Sequence, residues 1–149
     1  DDQLFSPTVF DDVAFGPIYQ GLPEGEVRER VAAALSAVGM EDRVQRVSHH
    51  LSGGEKKRVA IATVLAMQPE VLVLDEPAAG LDPRARRGLI QLLGRLPQTM
   101  LVATHDLRLV AELFPRTIVL DDGQVSADGP TAELLASPEL LRAHGLELQ

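Results

Sequence analysis

At 149 residues with 45% hydrophobic side chains, the chain has the length and apolar content for one compact domain. Its 22 acidic residues against 14 basic ones leave a net charge of −8, which argues against nucleic-acid binding through clustered Lys and Arg. The absence of cysteine excludes disulfide scaffolds, thiolate metal sites and cysteine nucleophiles. No apolar run approaches the ~18 residues of a membrane-spanning helix, and the acidic start is unlike a signal peptide. The only lysines are Lys56 and Lys57.

In chain order, residues 1–27 carry the acids Asp1, Asp2, Asp11, Asp12, Glu24 and Glu26 and no Lys or Arg. The same stretch holds Phe5, Phe10, Phe15 and Tyr19, a combination that suits either a satellite core or a docking surface. Val27, Val31, Ala34, Leu35 and Val38 follow helical spacing and stop at Gly39, a C-terminal cap. Ser52-Gly-Gly-Glu55 reads as a capping box that opens a helix to about Met67, where Pro69 ends it. Val71–Leu74 is a continuous apolar run, expected of a strand buried on both faces of a parallel sheet. Asp82-Pro83 opens a helix to about Leu96. Met100–Ala103 reads as a second strand, Asp106–Leu113 as a short helix and Thr117–Leu120 as a third strand. Asp122-Gly123 then turns a hairpin into Gln124–Ala127, and short helices near Thr131–Ala136 and Pro138–His144 close the chain. The expected class is α/β with a mainly parallel sheet.

Three clusters carry chemistry. Val71-Leu-Val-Leu-Asp-Glu-Pro77 ends a buried strand in two adjacent carboxylates at the carboxyl edge of the sheet, where α/β proteins bind ligands. Such an Asp can hold nucleotide-bound Mg²⁺ and the adjacent Glu can polarise a water, or both are simply exposed acids in a turn. In Leu51-Ser-Gly-Gly-Glu55, helix N-terminal N–H groups and two residues without a Cβ suit a phosphate. A plain capping box is the other reading, although two glycines in a first turn each cost about 0.8–1.0 kcal/mol against Ala. His105 follows a strand at the same sheet edge as Asp75 and Glu76 and could meet a phosphate oxygen or a water, or act as a helix cap. The adjacent His49 and His50 lack a nearby third ligand and do not read as a metal site.

Taken in order, Gln3, Leu51–Ala60, Val71–Pro77, Gly80-Leu-Asp-Pro83 and Thr104-His105 resemble the Q-loop, signature, Walker B, D-loop and switch histidine of an ABC-transporter ATP-binding subunit. The opening Asp1–Val9 and Asp12–Pro17 look most like subunits of cobalt/nickel-type and other energy-coupling-factor importers. Ala78, where the family usually has Ser or Thr, and Glu55, where Gln is commoner, are small departures. The resemblance implies a P-loop NTPase-like fold, mainly parallel, with a helical signature subdomain over 1–67 and the Walker B, D-loop and switch part over 68–149. It implies ATP and Mg²⁺ as cofactors. Asp75 would hold the metal, with Gln3 linking metal and water to a membrane partner. Glu76 would be the general base, and His105 would contact the γ-phosphate. Ser52, Gly53 and Gly54 would bind the γ-phosphate of ATP held by a second ATP-binding subunit, with Asp82 at that interface. Phe5–Tyr19 would meet the transmembrane permease, placing the subunit on the cytoplasmic face of the membrane. One alternative is a non-catalytic module that lends Ser52–Gly54 and Asp82 to an ATP site completed by a partner carrying the phosphate loop; another, a non-transport ABC ATPase as in DNA repair, fits the acidic charge less well.

The phosphate loop Gly-x-x-x-x-Gly-Lys-[Ser/Thr] is absent, because both lysines lie in the signature helix. The family's adenine-stacking aromatic residue is missing too, so the resemblance implies an N-terminally truncated domain. In the family, the strand that feeds the phosphate loop lies between those matching Met100–Thr104 and Thr117–Leu120. Either these two strands pair directly here, or another chain fills the place between them. Alone, the chain is expected neither to bind ATP tightly nor to hydrolyse it.

Overall fold

The computed structural model describes residues 4–146. Its elements are α1 (Val9–Tyr19), α2 (Glu24–Ala37), α3 (Gly53–Leu65), β1 (Val71–Asp75), α4 (Pro83–Leu93), β2 (Thr99–Ala103), α5 (Leu107–Leu113), β3 (Arg116–Asp121), β4 (Gln124–Pro130), α6 (Thr131–Leu135) and α7 (Pro138–Ala143). The chain divides into two compact units. One holds residues up to Val73 together with Ala79–Leu101, and the other holds Leu74–Ala78 and the chain from Val102 onward.

In the first unit α1, α2 and α3 pack on one another. Val9, Val13, Val31, Leu35 and Val59 line that core at spacings of four, one helical turn apart. The structure adds α1 to the expected elements. Its sequence hides it, since Pro17 stands inside the helix and exposed Phe15, Ile18 and Tyr19 blur the apolar stripe. Gly16 lets the end of the signature helix approach, because a β-carbon there would lie 2.6 Å from Met67 Cγ.

The local signals decide the helix ends. α2 closes in a Schellman motif: Gly39 adopts φ +67°, its N–H reaches Ser36 O, and Met40 N–H reaches Leu35 O. α3 opens with the full capping box, and α4 opens on the Asp82 cap with Pro83 at its first position. α4 ends at Leu93, three residues early, where Gly94 serves as its C-cap.

β1 and β2 form one two-stranded sheet. Their pairing is parallel: Thr99 N–H bonds Glu70 O at one end and Glu76 N–H bonds Ala103 O at the other. β3 and β4 form an antiparallel hairpin turned by Asp122 and Gly123, both at positive φ as a type I′ turn requires.

Of the two arrangements expected for β2 and β3, direct pairing is not found, and the expected burial of β1 is corrected. β2 pairs with β1 and β3 with β4, so β2 and β3 do not pair directly. The apolar run of β1 is buried on one face only, since side chains alternate across a strand. Leu72 points inward while Val73 is 72% exposed, and Leu101 on β2 is 63% exposed.

In the second unit α6 packs against α5, α7 and the hairpin. Thr131 ties α6 to β3 through its N–H to Pro115 O and its hydroxyl to the Thr117 hydroxyl. His144 Nδ1 meets Asp121 Oδ2 at 2.7 Å, holding the end of α7 to the hairpin. Among the described residues no helix is long and apolar enough to cross a membrane.

Candidate functional site

The described candidate residues fall into two groups, one in each unit, and Gln3 lies outside the described residues.

In the second unit, Asp75 ends β1 with its side chain exposed, and Glu76 follows at φ +43°. A non-glycine residue held in that left-handed region stores strain of about 1 kcal/mol or more, a feature that clusters at functional sites. The bond from Glu76 N–H to Ala103 O holds it there and turns its carboxylate toward the residues after β2. Both oxygens are engaged. Thr104 Oγ donates to Oε2 at 3.0 Å, while His105 N–H donates to Oε1 at 2.9 Å and His105 Nδ1 lies 2.6 Å from the same oxygen. Burial pushes the Glu76 carboxyl up, but the bonds from His105 and Thr104 outweigh it and hold the group below the usual carboxylate range. An ionised carboxylate only accepts, so the ring proton of His105 sits on Nδ1 and Nε2 faces outward. His105 therefore does more than cap a helix: that work falls to Asp106, whose side chain accepts from Leu109 N–H.

In the first unit, Ser52 and Glu55 close the capping box reciprocally. Glu55 Oε2 takes the Ser52 N–H and hydroxyl, and Oε1 takes Arg43 Nε at 3.2 Å. The bonds from Ser52, joined by Arg43, hold the Glu55 carboxyl below its ordinary value. A glutamine at this position could not form the ion pair with Arg43, which gives the departure at Glu55 a physical reason.

The two glycines have different reasons. A β-carbon on Gly54 would lie 2.9 Å from Ala85 Cβ, so Gly54 lets α3 approach α4. A β-carbon on Gly53 would meet nothing nearer than Leu81 Cδ2 at 4.0 Å. Packing thus accounts for the missing β-carbon of Gly54, whereas packing does not account for that of Gly53. Gly54→Ala is expected to force α3 off α4 and destabilise the chain by about 1–3 kcal/mol, the usual range for overpacking. Urea unfolding measures this, and Ala85→Gly should restore most of the loss.

Because of that close approach, the N-termini of α3 and α4 lie side by side, bringing Ser52, Gly53 and Gly54 together with the Asp82 cap. The N–H groups of Ala85 and Arg84 hold the Asp82 carboxyl below its usual range.

The order of these motifs and their geometry meet in a known family. The ABC transporter family profile matches residues 1–79, just over half of the chain. The chain belongs to the ABC transporter family. A putative ABC transporter ATP-binding protein of Gloeobacter violaceus is 61% identical over 99% of this chain and 62% of its own length. The energy-coupling factor transporter ATP-binding protein EcfA of Methanothermobacter thermautotrophicus is 51% identical over 99% of this chain and 49% of its own. Among solved structures, CbiO1 of Clostridium perfringens, part of the ABC transporter complex CbiONQ, superposes with a TM-score of 0.84. It is 43% identical and is matched over 99% of this chain and 61% of its own. The fold is the α/β fold of ABC ATP-binding domains, and the chain spans about three-fifths of the length of several relatives it matches.

Sequence reasoning missed three ABC-chain residues that organise these groups. Asp12, one of the acids of the first 27 residues, is 3% exposed. Its Oδ1 accepts from Phe5 N–H and Ser6 N–H, and its Oδ2 accepts from the buried Ser48 hydroxyl. The signal was available: Asp12 stands one turn from Pro7–Thr8 and beside Val13, inside the apolar stripe of α1. Thr104, the holder of Glu76, and Arg58, which lies against α4, had no comparable signal because their partners are distant in sequence.

Proposed function

We propose that this chain serves an ABC importer as part of its ATP-binding subunit, coupling Mg²⁺-dependent ATP hydrolysis to transport of a cobalt or nickel ion or a vitamin. The observation that carries the reading is the Glu76 carboxylate, ionised and clamped by Thr104 and His105 beside exposed Asp75. Glu76 takes a proton from the attacking water, which requires it to exchange its present partners for that water. His105, released from Glu76, donates its ring N–H to an oxygen of the terminal phosphate. The hard carboxylate oxygens of Asp75 suit Mg²⁺, which when bound neutralises phosphate charge.

The Lys-bearing phosphate loop comes from polypeptide outside this sequence, and the uncovered Val71, Val73 and Leu101 offer it an apolar face. Ser52, Gly53, Gly54 and Asp82 face the nucleotide of a second ATP-binding subunit. The membrane partner docks at Phe5, Phe15, Ile18 and Tyr19. These side chains are exposed and clustered, with Phe5 edge-on to Phe15 at 5.4 Å and Phe15 stacked on Tyr19 at 6.5 Å. On this reading the subunit works at the cytoplasmic face of the membrane.

Mixing the chain with an ATP-binding subunit that carries a phosphate loop tests the reading. The complex should hydrolyse ATP while the chain alone does not. Ser52→Arg, which fills the phosphate approach, should lower turnover of the mixture by about 100-fold or more, the range for losing a preorganised anion-binding donor. Turnover unchanged by Ser52→Arg would remove this surface from the mechanism.

A further inference from the structure

We infer that Arg58 is a positioning residue: it locks α3 to α4 and to the end of α2, so that the surface of Ser52, Gly53 and Asp82 is held as one body. The inference rests on the reading of that surface given above, but its geometry stands apart from it. Gly54 and Arg58 lie four residues apart on one face of α3, and Ala85 and Gly88 lie three apart on one face of α4. The helices therefore meet at two points. At the first, Gly54 admits Ala85; at the second, the Arg58 guanidinium occupies the place of the β-carbon that Gly88 lacks, 2.6 Å from where that carbon would be.

The other arm of the guanidinium donates from Nη1 to Val38 O at 2.9 Å, the carbonyl of the α2 C-cap. A cation there also complements the negative end of that helix. One planar side chain thus spans three helices, a geometry a lysine cannot reproduce with a single ammonium. Gly88 sits in the interior of α4, where alanine would favour the helix. Its presence is explained by the guanidinium it accommodates.

The test is a double-mutant cycle on the chain itself, read by thermal unfolding and by amide exchange. Arg58→Ala should speed exchange of the Lys56 and Arg86 amides, which bond Ser52 O and Asp82 O in the first turns of α3 and α4, by about tenfold while leaving Val13 and Ala14 in α1 within about twofold, the mark of a local opening. Gly88→Ala should lower the midpoint in the natural chain, because the new methyl displaces the guanidinium. In the Arg58→Ala background the same substitution should raise the midpoint, because only its helix preference remains. If Arg58→Ala does not fold, Arg58→Lys replaces it, with the same reversal at a smaller size. A Gly88→Ala effect of equal sign and size in both backgrounds overturns the inference, as does unchanged exchange at Lys56 and Arg86. Failure of the surface reading shows separately, as unaltered turnover in the Ser52→Arg mixture.

Discussion

Asp12→Ala is expected to be among the more destabilising substitutions in the chain, at about 1–3 kcal/mol, because three hydrogen-bond donors lose their acceptor and one of them, the Ser48 hydroxyl, is buried. Phe5 N–H, Ser6 N–H and the Ser48 hydroxyl all converge on this carboxylate, which is withdrawn from water. Domains of this size have total stabilities of about 5–15 kcal/mol, so the loss would be a large share of the whole. It would also free the segment before α1, which carries Phe5 of the exposed aromatic cluster. Urea unfolding should show the drop, and limited proteolysis should show new cleavage after Phe5. Asp12→Asn keeps one acceptor oxygen and should lose less than half as much. Equal stability of Asp12→Ala and the natural chain would mean that the three donors find water instead.

The second large effect concerns the proposed chemistry. In a complex that hydrolyses ATP, Glu76→Gln should lower turnover by about 10²–10⁴-fold, the typical contribution of a positioned general base, while nucleotide binding persists. The amide nitrogen of a glutamine cannot accept from Thr104 Oγ, so the clamp loosens as the base is lost.

The acid side of the pH profile gives an independent check. The folded Glu76 carboxyl lies below its ordinary value of 4.5. Its bonds to Thr104 and His105 therefore stabilise the fold fully above that ordinary value, and the contribution disappears as pH falls through the lowered one. Thr104→Val removes one of those bonds, so the acid limb of the rate profile should move to higher pH. A limb that stays in place would show that Thr104 does not hold the ionised carboxylate.

Much of the fold was legible because it depends on residues a few positions apart. The Ser52–Glu55 box, the Asp82-Pro83 start, the Gly39 stop and the Asp122-Gly123 turn each depend on residues within one turn of chain, so the local sequence predicts them. The catalytic candidates were legible through motif order, but their mutual geometry was not. Glu76 meets Thr104 and His105 across a separation of 28 and 29 residues, which no local pattern encodes. α1 was hidden because an Asp inside its apolar stripe and a Pro near its end break the period that reveals a helix.

Length, charge and composition read alone suggested one complete compact domain with an acidic surface. By itself the sequence determined the class, the order of the elements from α2 onward and the helix caps, and it holds no lysine-bearing phosphate loop. The tertiary structure decided that Asp12 is a buried anchor, that Gly54 serves helix packing and that β1 and β2 leave an apolar face uncovered. It also decided that Arg58 spans three helices. The physical reason is common to all four. Caps and turns are short-range hydrogen-bond problems, whereas burial, close approach and long-range pairing depend on which distant surface arrives opposite a residue.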